Sequence, residues 1–211
     1  MRRQSIASML KGGDRRSIGK AYQIAELVLS EPKRFSELIQ CLWDQDPMVR
    51  MRAVDAAEKV TVTRPELLNP HKQELLGLLA EAEQIELQWH LALMVPRLAL
   101  TSPERQRAAA SLQRYLEDRS SIVKTFALQG LADLARQDPS LRDLARRTCE
   151  ESLQTGTAAM KARARKLLKE IKKSGQFADC RLIDTNARRR VSLQGCSVFE
   201  DRSIFVPKRP Q

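Results

Sequence analysis

A stripe of small and apolar residues recurs along the middle of the chain at the spacing of an α-helix. Its first clear copy is Val49, Ala53, Ala56 and Val60, in which the steps are four, three and four residues. Because an α-helix turns once in about 3.6 residues, these positions share one face. The pattern predicts a helix that buries one side and begins close to Pro47.

The same steps occur three more times at nearly constant intervals. The copies start at Leu87, Val123 and Met160, which lie 38, 36 and 37 residues after the preceding start (49 to 87, 87 to 123, 123 to 160). A weaker copy starts at Ser17. The other stripe members are Leu91, Met94, Leu98, Ala127, Gly130, Leu134, Ala164, Leu167 and Ile171, with Ala21, Ile24 and Val28 in the weaker copy. A repeat of this length indicates stacked units that bury a shared core.

Further helix-forming segments lie between the stripes, at residues 35–42, 65–79, 104–116 and 141–153. Each stripe helix therefore has a preceding partner. The predicted fold class is all-α, an α-α superhelix of about four helix pairs over residues 17–173. Three helix starts carry side chains whose oxygens can accept a bond from an otherwise unpaired amide, namely Asp46, Ser120 and Thr157. Prolines at positions suited to a first helical turn are Pro65, Pro103 and Pro139.

One proline interrupts the regular pattern. Pro96 lies inside the helix that is predicted to begin near Ile85. A proline in a helix interior lacks an amide hydrogen, and its ring collides with the carbonyl four residues earlier, here that of Ala92. We therefore expect a kink or an early helix end near Val95.

The segment Asp46-Pro47-Met48-Val49-Arg50 resembles the D-P-x-V-R string that often opens the second helix of a HEAT repeat. The chain is similar to HEAT-repeat proteins, which are armadillo-like α-solenoids, over about residues 17–173. The resemblance implies a fold that presents a binding surface. In that family the Asp and the Arg tend to form a ladder between repeats. Here the Asp position becomes Gln84, Ser120 and Thr157 and the Arg position becomes Gln88, Lys124 and Lys161, so a continuous charged ladder is not expected.

The two ends of the chain differ from the repeats. Residues 1–16 form a basic N-terminal segment, and residues 174–211 lack helical spacing. The C-terminal segment is predicted to be a non-helical tail, disordered or loosely docked, because it has too little periodic apolar surface to offset the entropy of ordering. Short alternating stretches around Val191 and Ile204 leave small strands as an alternative.

The formal net charge of +11 is concentrated at the ends. Residues 1–20 hold six basic and one acidic residue, and residues 161–173 hold seven and one, whereas the middle of the chain has slightly more acidic than basic residues. A duplex-binding groove needs cations along its length. No signal-peptide pattern or membrane-length apolar run is visible, so a cytoplasmic location without membrane contact is predicted.

Residue types that carry chemistry are sparse. Four cysteines stand far apart without a C-x-x-C pair, and the two histidines, His71 and His90, have no catalytic partner at a recognisable spacing. Cys41 lies in an apolar run and is predicted to be a buried free thiol. The sequence therefore predicts no enzyme activity, no metal and no cofactor.

One family of enzymes is similar in architecture. Alkylpurine DNA glycosylases of one class are built from HEAT-like helices, and their pattern places an aspartate four residues after a tryptophan in the groove. In this chain Leu93 follows Trp89 at that distance, and Pro47 follows Trp43. The catalytic carboxylate is therefore not assigned, and this resemblance implies at most a DNA-binding protein without that activity.

Candidate binding residues follow from the family resemblance, which implies that second helices line a concave groove. Positions two and three residues after the stripe starts then supply the partner-binding candidates Met51, Arg52, Trp89, His90, Phe126 and Arg163. The alternative is that these side chains fill gaps between adjacent helices. A possible anion-binding row on the last helix consists of Lys161, Arg165, Lys169 and Lys172, for which the alternative is a solvated cap on the array.

The leading functional hypothesis is a scaffold or adaptor that binds an unidentified protein or peptide in the concave groove. The alternative is a nucleic-acid-binding HEAT-like protein that uses the basic residues at its ends. It would bind DNA or RNA with a steep dependence on salt.

Overall fold

The computed structural model describes residues 4–12 and 19–171 of the 211-residue chain. Within these ranges the chain forms helices and connections, and no strand occurs there. The helices are α1 (Ile6–Leu10), α2 (Ala21–Ser30), α3 (Phe35–Gln40), α4 (Pro47–Thr63), α5 (Lys72–Glu81), α6 (Ile85–Met94), α7 (Ser102–Tyr115), α8 (Ser121–Gln137), α9 (Arg142–Thr155) and α10 (158–171). Short 3-10 turns extend several of them, at Pro32–Arg34, Cys41–Trp43, Pro65–His71, Val95–Arg97 and Pro139–Leu141.

The helices pack in two layers. The even-numbered helices form the second-helix layer, in which α4 packs between α2 and α6, and α6 packs between α4 and α8. The odd-numbered helices form the first-helix layer, in which α5 packs on α7. The described ranges thus contain five helix pairs, one more than the four clear stripes, because the weak copy at Ser17 forms α2. The prediction of an all-α superhelix is confirmed, and the predicted tail lies outside the described residues.

The stripe residues form the core. Val49, Ala53, Ala56 and Val60 are fully buried, as are most members of the later copies. A smaller cluster joins α8 to α9 and α10 through Leu128, Cys149, Met160, Ala164 and Leu167. Part of the basic N-terminal segment also enters the core, since Ile6 and Leu10 on α1 have no exposed surface. The helical periodicity therefore identified the face on which each repeat stacks.

The predicted helix starts have the expected capping bonds. Asp46 Oδ1 accepts a hydrogen bond from Met48 N (2.8 Å), and Thr157 Oγ1 accepts one from Met160 N (3.4 Å). Ser120 Oγ accepts one from Val123 N at 3.5 Å. At Pro96 the helix ends early, because α6 stops at Met94 and continues as a 3-10 turn over Val95–Arg97. The expectation for Pro96 is confirmed.

Neutral side chains replace part of the charged ladder between repeats. Arg50 Nε donates to Gln84 Oε1 at 2.8 Å, and Gln84 Nε2 donates back to the carbonyl of Pro47 at 3.0 Å. Between α8 and α10, the hydroxyls of Ser121 and Thr157 lie 2.7 Å apart. These bonds preserve the register of neighbouring second helices without a carboxylate at Gln84 or Thr157.

Glu104 joins two helices of the first-helix layer. Its carboxylate caps α7 by accepting bonds from Thr101 N (2.7 Å) and Thr101 Oγ1 (3.0 Å). It also accepts bonds from Lys72 Nζ at 3.0 Å and Gln73 Nε2 at 3.2 Å, both on α5. The amide of Thr101 and then the Lys72 ammonium lower the pKa of this carboxyl to about 2.

The pH dependence of unfolding should therefore report on Glu104. The folded-state pKa is below the usual value of 4.5, so the stabilisation is present above that value and is lost as the pH falls through about 2. Glu104→Gln removes the charge, and we expect its stability deficit relative to wild type at pH 7 to narrow between pH 4.5 and pH 2. Urea unfolding across this range measures the deficit, with Glu83→Gln at an exposed carboxylate as the control. A deficit that stayed constant down to pH 2 would contradict the assignment.

Candidate interaction surface

Two aromatic rings and a guanidinium form a continuous row across three second helices. The rings of Trp89 on α6 and Phe126 on α8 stack with centroids 5.2 Å apart and planes inclined by 28°. Arg163 on α10 places its guanidinium carbon 5.5 Å from the Phe126 ring centroid. Arg163 Nη1 also donates to Gln129 Oε1 at 2.7 Å. We call Trp89, Phe126 and Arg163 the aromatic row.

The structure divides the six partner-binding candidates into two groups. Met51, Trp89, Phe126 and Arg163 are half-buried, so part of each side chain is open to a partner. Arg52 and His90 are buried, with 1% and 2% of their surface exposed. Their assignment to an open binding surface is therefore corrected, because both fill space between helices, which was the alternative.

Arg52 belongs to the junction between α4 and the start of the chain. Its Nη1 donates to the carbonyl of Leu10 at 2.7 Å and to that of Gly12. A Cβ atom on Gly19 would lie 2.8 Å from Arg52 Nε, and Gly19 has a φ of +54°, which L-residues rarely adopt. The glycine therefore gives the guanidinium room to reach the N-terminal carbonyls.

His90 lies next to a buried carboxylate of the preceding repeat. Its Nε2 is 3.7 Å from Asp55 Oδ1, and Asp55 also pairs with Lys59 Nζ at 2.5 Å. Burial, followed by the positive charges of Lys59 and Arg97, lowers the pKa of His90 to about 3. The imidazole is therefore neutral at physiological pH, and it packs on Trp89 with ring centroids 3.3 Å apart. The buried imidazole therefore packs against the Trp89 end of the aromatic row.

Paired charges of both signs lie beside the aromatic row. Arg97 Nη2 contacts Glu58 Oε1 at 2.5 Å. Arg136 contacts Asp133 at 2.5 Å and Glu170 at 3.3 Å. Burial raises the pKa of Asp133, although the Arg136 charge and a bond from Gln129 oppose this. The face is therefore mixed in charge rather than uniformly basic.

Helix geometry alone does not determine which of the candidate positions are buried. A residue three positions after a stripe start lies about 60° from the stripe, since each residue rotates by about 100°. Such a side chain reaches the preceding repeat. Arg52 and His90 are buried there, whereas Phe126 and Arg163, at the same position in later copies, meet Trp89 and Gln129 and stay half-exposed. Asp55 and Gln129, six residues after their starts, are the partners of His90 and Arg163 in the preceding repeats, and Gln129 was not among the candidates. Tyr22, 58% exposed with Lys59 Nζ 4.5 Å from its ring centroid, was missed because its repeat copy is weak.

The possible anion-binding row lies on α10. Arg165 and Lys169 are exposed and Lys161 is half-buried, whereas Lys172 lies outside the described residues. Lys166 is exposed beside them. Within residues 4–12 and 19–171, none of these four described cations forms an ion pair. The row is thus open to solvent, and its role in anion binding stays a prediction.

The titratable groups offer little reactive chemistry. Burial, with smaller effects of Asp44 and Glu37, raises the pKa of the Cys41 thiol to about 11, and burial raises that of Cys149 to about 11. Both thiols are therefore protonated at neutral pH, and the prediction that Cys41 is buried is confirmed. In the described ranges no group of three or more His, Cys, Asp or Glu side chains is placed to hold a metal ion. No described helix is both long and apolar enough to cross a membrane.

Comparisons with known proteins identify the fold alone. No family model matches the sequence, and no curated protein matches it. A designed armadillo repeat protein superposes with a TM-score of 0.56 at 18% sequence identity, over 81% of this chain and 87% of that chain. An engineered protein from a structural genomics consortium covers 80% of this chain and 96% of its own at 15% identity, with a TM-score of only 0.39. The chain therefore has the fold of an armadillo-like repeat solenoid.

Proposed function

We propose that the protein is a binding scaffold that holds a peptide or an extended segment of another protein on its second-helix layer, at the aromatic row. The observation that carries this proposal is the continuous, half-exposed contact of Trp89, Phe126 and Arg163 across three successive repeats. Tryptophan and arginine are the residue types that most often anchor protein interfaces. Repeat solenoids use surfaces of this extended kind to bind partners.

The rigidity of the row supports the same proposal. His90 and Gln129 hold Trp89 and Arg163 from within the layer, so little side-chain entropy remains to be lost when a partner binds. The mixed charges of Glu58, Arg97 and Asp133 beside the row suit the polar rim of a protein interface. We propose binding without catalysis, in keeping with the burial of Cys41, Cys149 and His90.

Removal of both rings tests this function. We expect Trp89→Ala with Phe126→Ala to weaken the binding of a partner by roughly 30-fold or more, because even one interface anchor contributes about 2 kcal/mol or more. The partner is a protein captured by the full chain, and calorimetry with the purified pair gives the affinity. Ile85→Ala with Ile122→Ala is the matched control, since both isoleucines are exposed on the same two helices but lie outside the row.

The control double variant should bind as wild type does, and circular dichroism should show both variants folded. Equal affinity of wild type and the Trp89→Ala, Phe126→Ala variant would remove the aromatic row from the function.

The exposed cations of α10 favour one second candidate, the binding of nucleic acid. Arg165, Lys166 and Lys169 point to solvent on one helix, as a phosphate contact requires. The carboxylates of Glu58, Asp133 and Glu170 argue against a long nucleic-acid-binding path on the second-helix layer, because they interrupt its positive charge. A gel-shift titration at low and physiological salt, repeated with Arg165→Glu and Lys169→Glu, tests this candidate. A shift that vanishes in the variant and weakens steeply with salt would support it.

A further inference from the structure

A second candidate surface, which contains an exposed tryptophan, lies on the first-helix layer, away from the aromatic row. Trp43, at the end of the 3-10 turn after α3, is 48% exposed, and its ring contacts no other aromatic ring of the described chain. It lines a cleft of about 340 Å³ against α5, together with Gln73, Glu74, Gly77, Leu78 and Glu81. We call this the Trp43 cleft. An exposed tryptophan at a concave site is a feature of binding surfaces rather than of solvated helices.

The Trp43 cleft continues across α5. A neighbouring cleft of about 290 Å³ shares Gln73 and Gly77 with it and extends to Arg107, Ala108 and Ser111 on α7. The two clefts therefore adjoin at Gln73 and Gly77 on α5, and we call them together the groove. Two adjoining clefts suit a short stretch of extended chain better than a single small molecule.

An exposed glycine that the fold does not need lies where the two clefts adjoin. Gly77 lies inside α5, and a Cβ atom at this position would have no heavy atom within 4 Å. A glycine in a helix interior destabilises the helix by about 1 kcal/mol relative to alanine. Neither packing nor a positive φ explains this cost. Glycine is used where another backbone approaches closely, and an occupant of the groove would do so here.

The Trp43 end of the groove is acidic. Glu74 and Glu81 line the cleft, and both are exposed. Glu81 forms no ion pair with another described residue, whereas Glu74 has a contact of 3.4 Å to His71. At the far end Arg107 supplies a positive charge. An aromatic face beside carboxylates attracts a cationic side chain by cation–π and ionic interactions.

We propose that this groove binds a basic peptide segment of a partner protein, with an arginine side chain of the segment held between the Trp43 ring and the Glu74 and Glu81 carboxylates. The backbone of the segment passes over Gly77, and an acidic side chain farther along faces Arg107. The planar guanidinium is the cation best suited to stack on indole while it donates to two carboxylates. This surface is independent of the aromatic row, so the chain presents one binding site on each layer.

The probe is a set of peptides selected on the wild-type chain from a displayed random library. We expect the selected peptides to be enriched in arginine. Fluorescence anisotropy with the purified peptide should show a loss of roughly tenfold or more in affinity for Trp43→Ala and for Glu81→Gln. Replacing the peptide's arginine by citrulline, which is neutral and nearly the same shape, should cause a similar loss. Gly77→Ala should raise the melting midpoint of the free protein and yet lower its affinity for the peptide.

Trp89→Ala is the control, because it changes the aromatic row and leaves the Trp43 cleft intact. Unchanged affinity for this variant is the expected result. The proposal is overturned by selected peptides that lack arginine, by equal binding of the citrulline peptide, or by equal binding to wild type and Glu81→Gln. Peptides that lose affinity for Trp89→Ala but not for Trp43→Ala would overturn it while supporting the aromatic row.

Discussion

Gly130→Ala should destabilise the protein by about 2 kcal/mol or more, which corresponds to a melting midpoint lower by roughly 4–8 °C. A Cβ atom at Gly130 would lie 2.5 Å from the carbonyl oxygen of Ala92 and 2.9 Å from Leu112 Cδ1. The first contact is with backbone, so relief requires α6 and α8 to move apart. Glycine at this stripe position is therefore what lets two successive second helices approach closely.

Gly77→Ala is the matched control for this effect. It makes the same substitution inside another helix, where the new Cβ atom meets open space. We expect it to raise the free energy of unfolding by about 0.5–1 kcal/mol, through helix propensity alone. Urea and thermal unfolding of both variants give the comparison. A Gly130→Ala variant as stable as wild type would mean that α6 and α8 do not pack as described.

Arg52→Met should have the second large effect, a loss of roughly 3 kcal/mol in the free energy of unfolding. The side chain is 1% exposed, and its removal leaves the carbonyls of Leu10 and Gly12 without their guanidinium donor in a buried site. Methionine keeps most of the apolar stem, so the loss reports mainly on hydrogen bonding. Hydrogen exchange should show faster opening of α1 in the variant.

The control for Arg52 is Arg119→Met, which removes an exposed arginine from the turn between α7 and α8. Its effect should stay within about 0.5 kcal/mol. If Arg52→Met instead kept wild-type stability and protected α1, the buried position of Arg52 would be incorrect. Its sequence assignment as a partner-binding residue would then regain support.

The repeats could be predicted because burial on one helix face leaves a regular trace in the sequence. Val49, Ala53, Ala56 and Val60 reveal their helix without knowledge of any neighbour. The early helix end at Pro96 was equally predictable, since the steric conflict is local. The fold therefore follows from short-range rules that repeat along the chain.

The binding surfaces were less predictable because they depend on pairs of residues about 35 positions apart. Whether His90 is buried depends on Asp55 in the preceding repeat, and the orientation of Arg163 depends on Gln129. The sequence gives no signal for the Trp43 cleft, which forms only when the end of α3 meets α5. The stripe of each helix carries no information on the neighbouring repeats, so it locates the aromatic row but does not distinguish Phe126 from Arg52.

The two tryptophans allow a direct test of the central claim, that a partner binds the second-helix layer at the aromatic row. The chain contains only Trp43 and Trp89, so ¹⁵N-tryptophan labelling gives one indole resonance for each proposed surface. Trp43→Phe and Trp89→Phe assign the two signals. On titration with a captured partner, we predict that the Trp89 indole resonance moves to a new position while the Trp43 resonance stays in place. A partner that binds tightly and leaves the Trp89 resonance unmoved would contradict the claim.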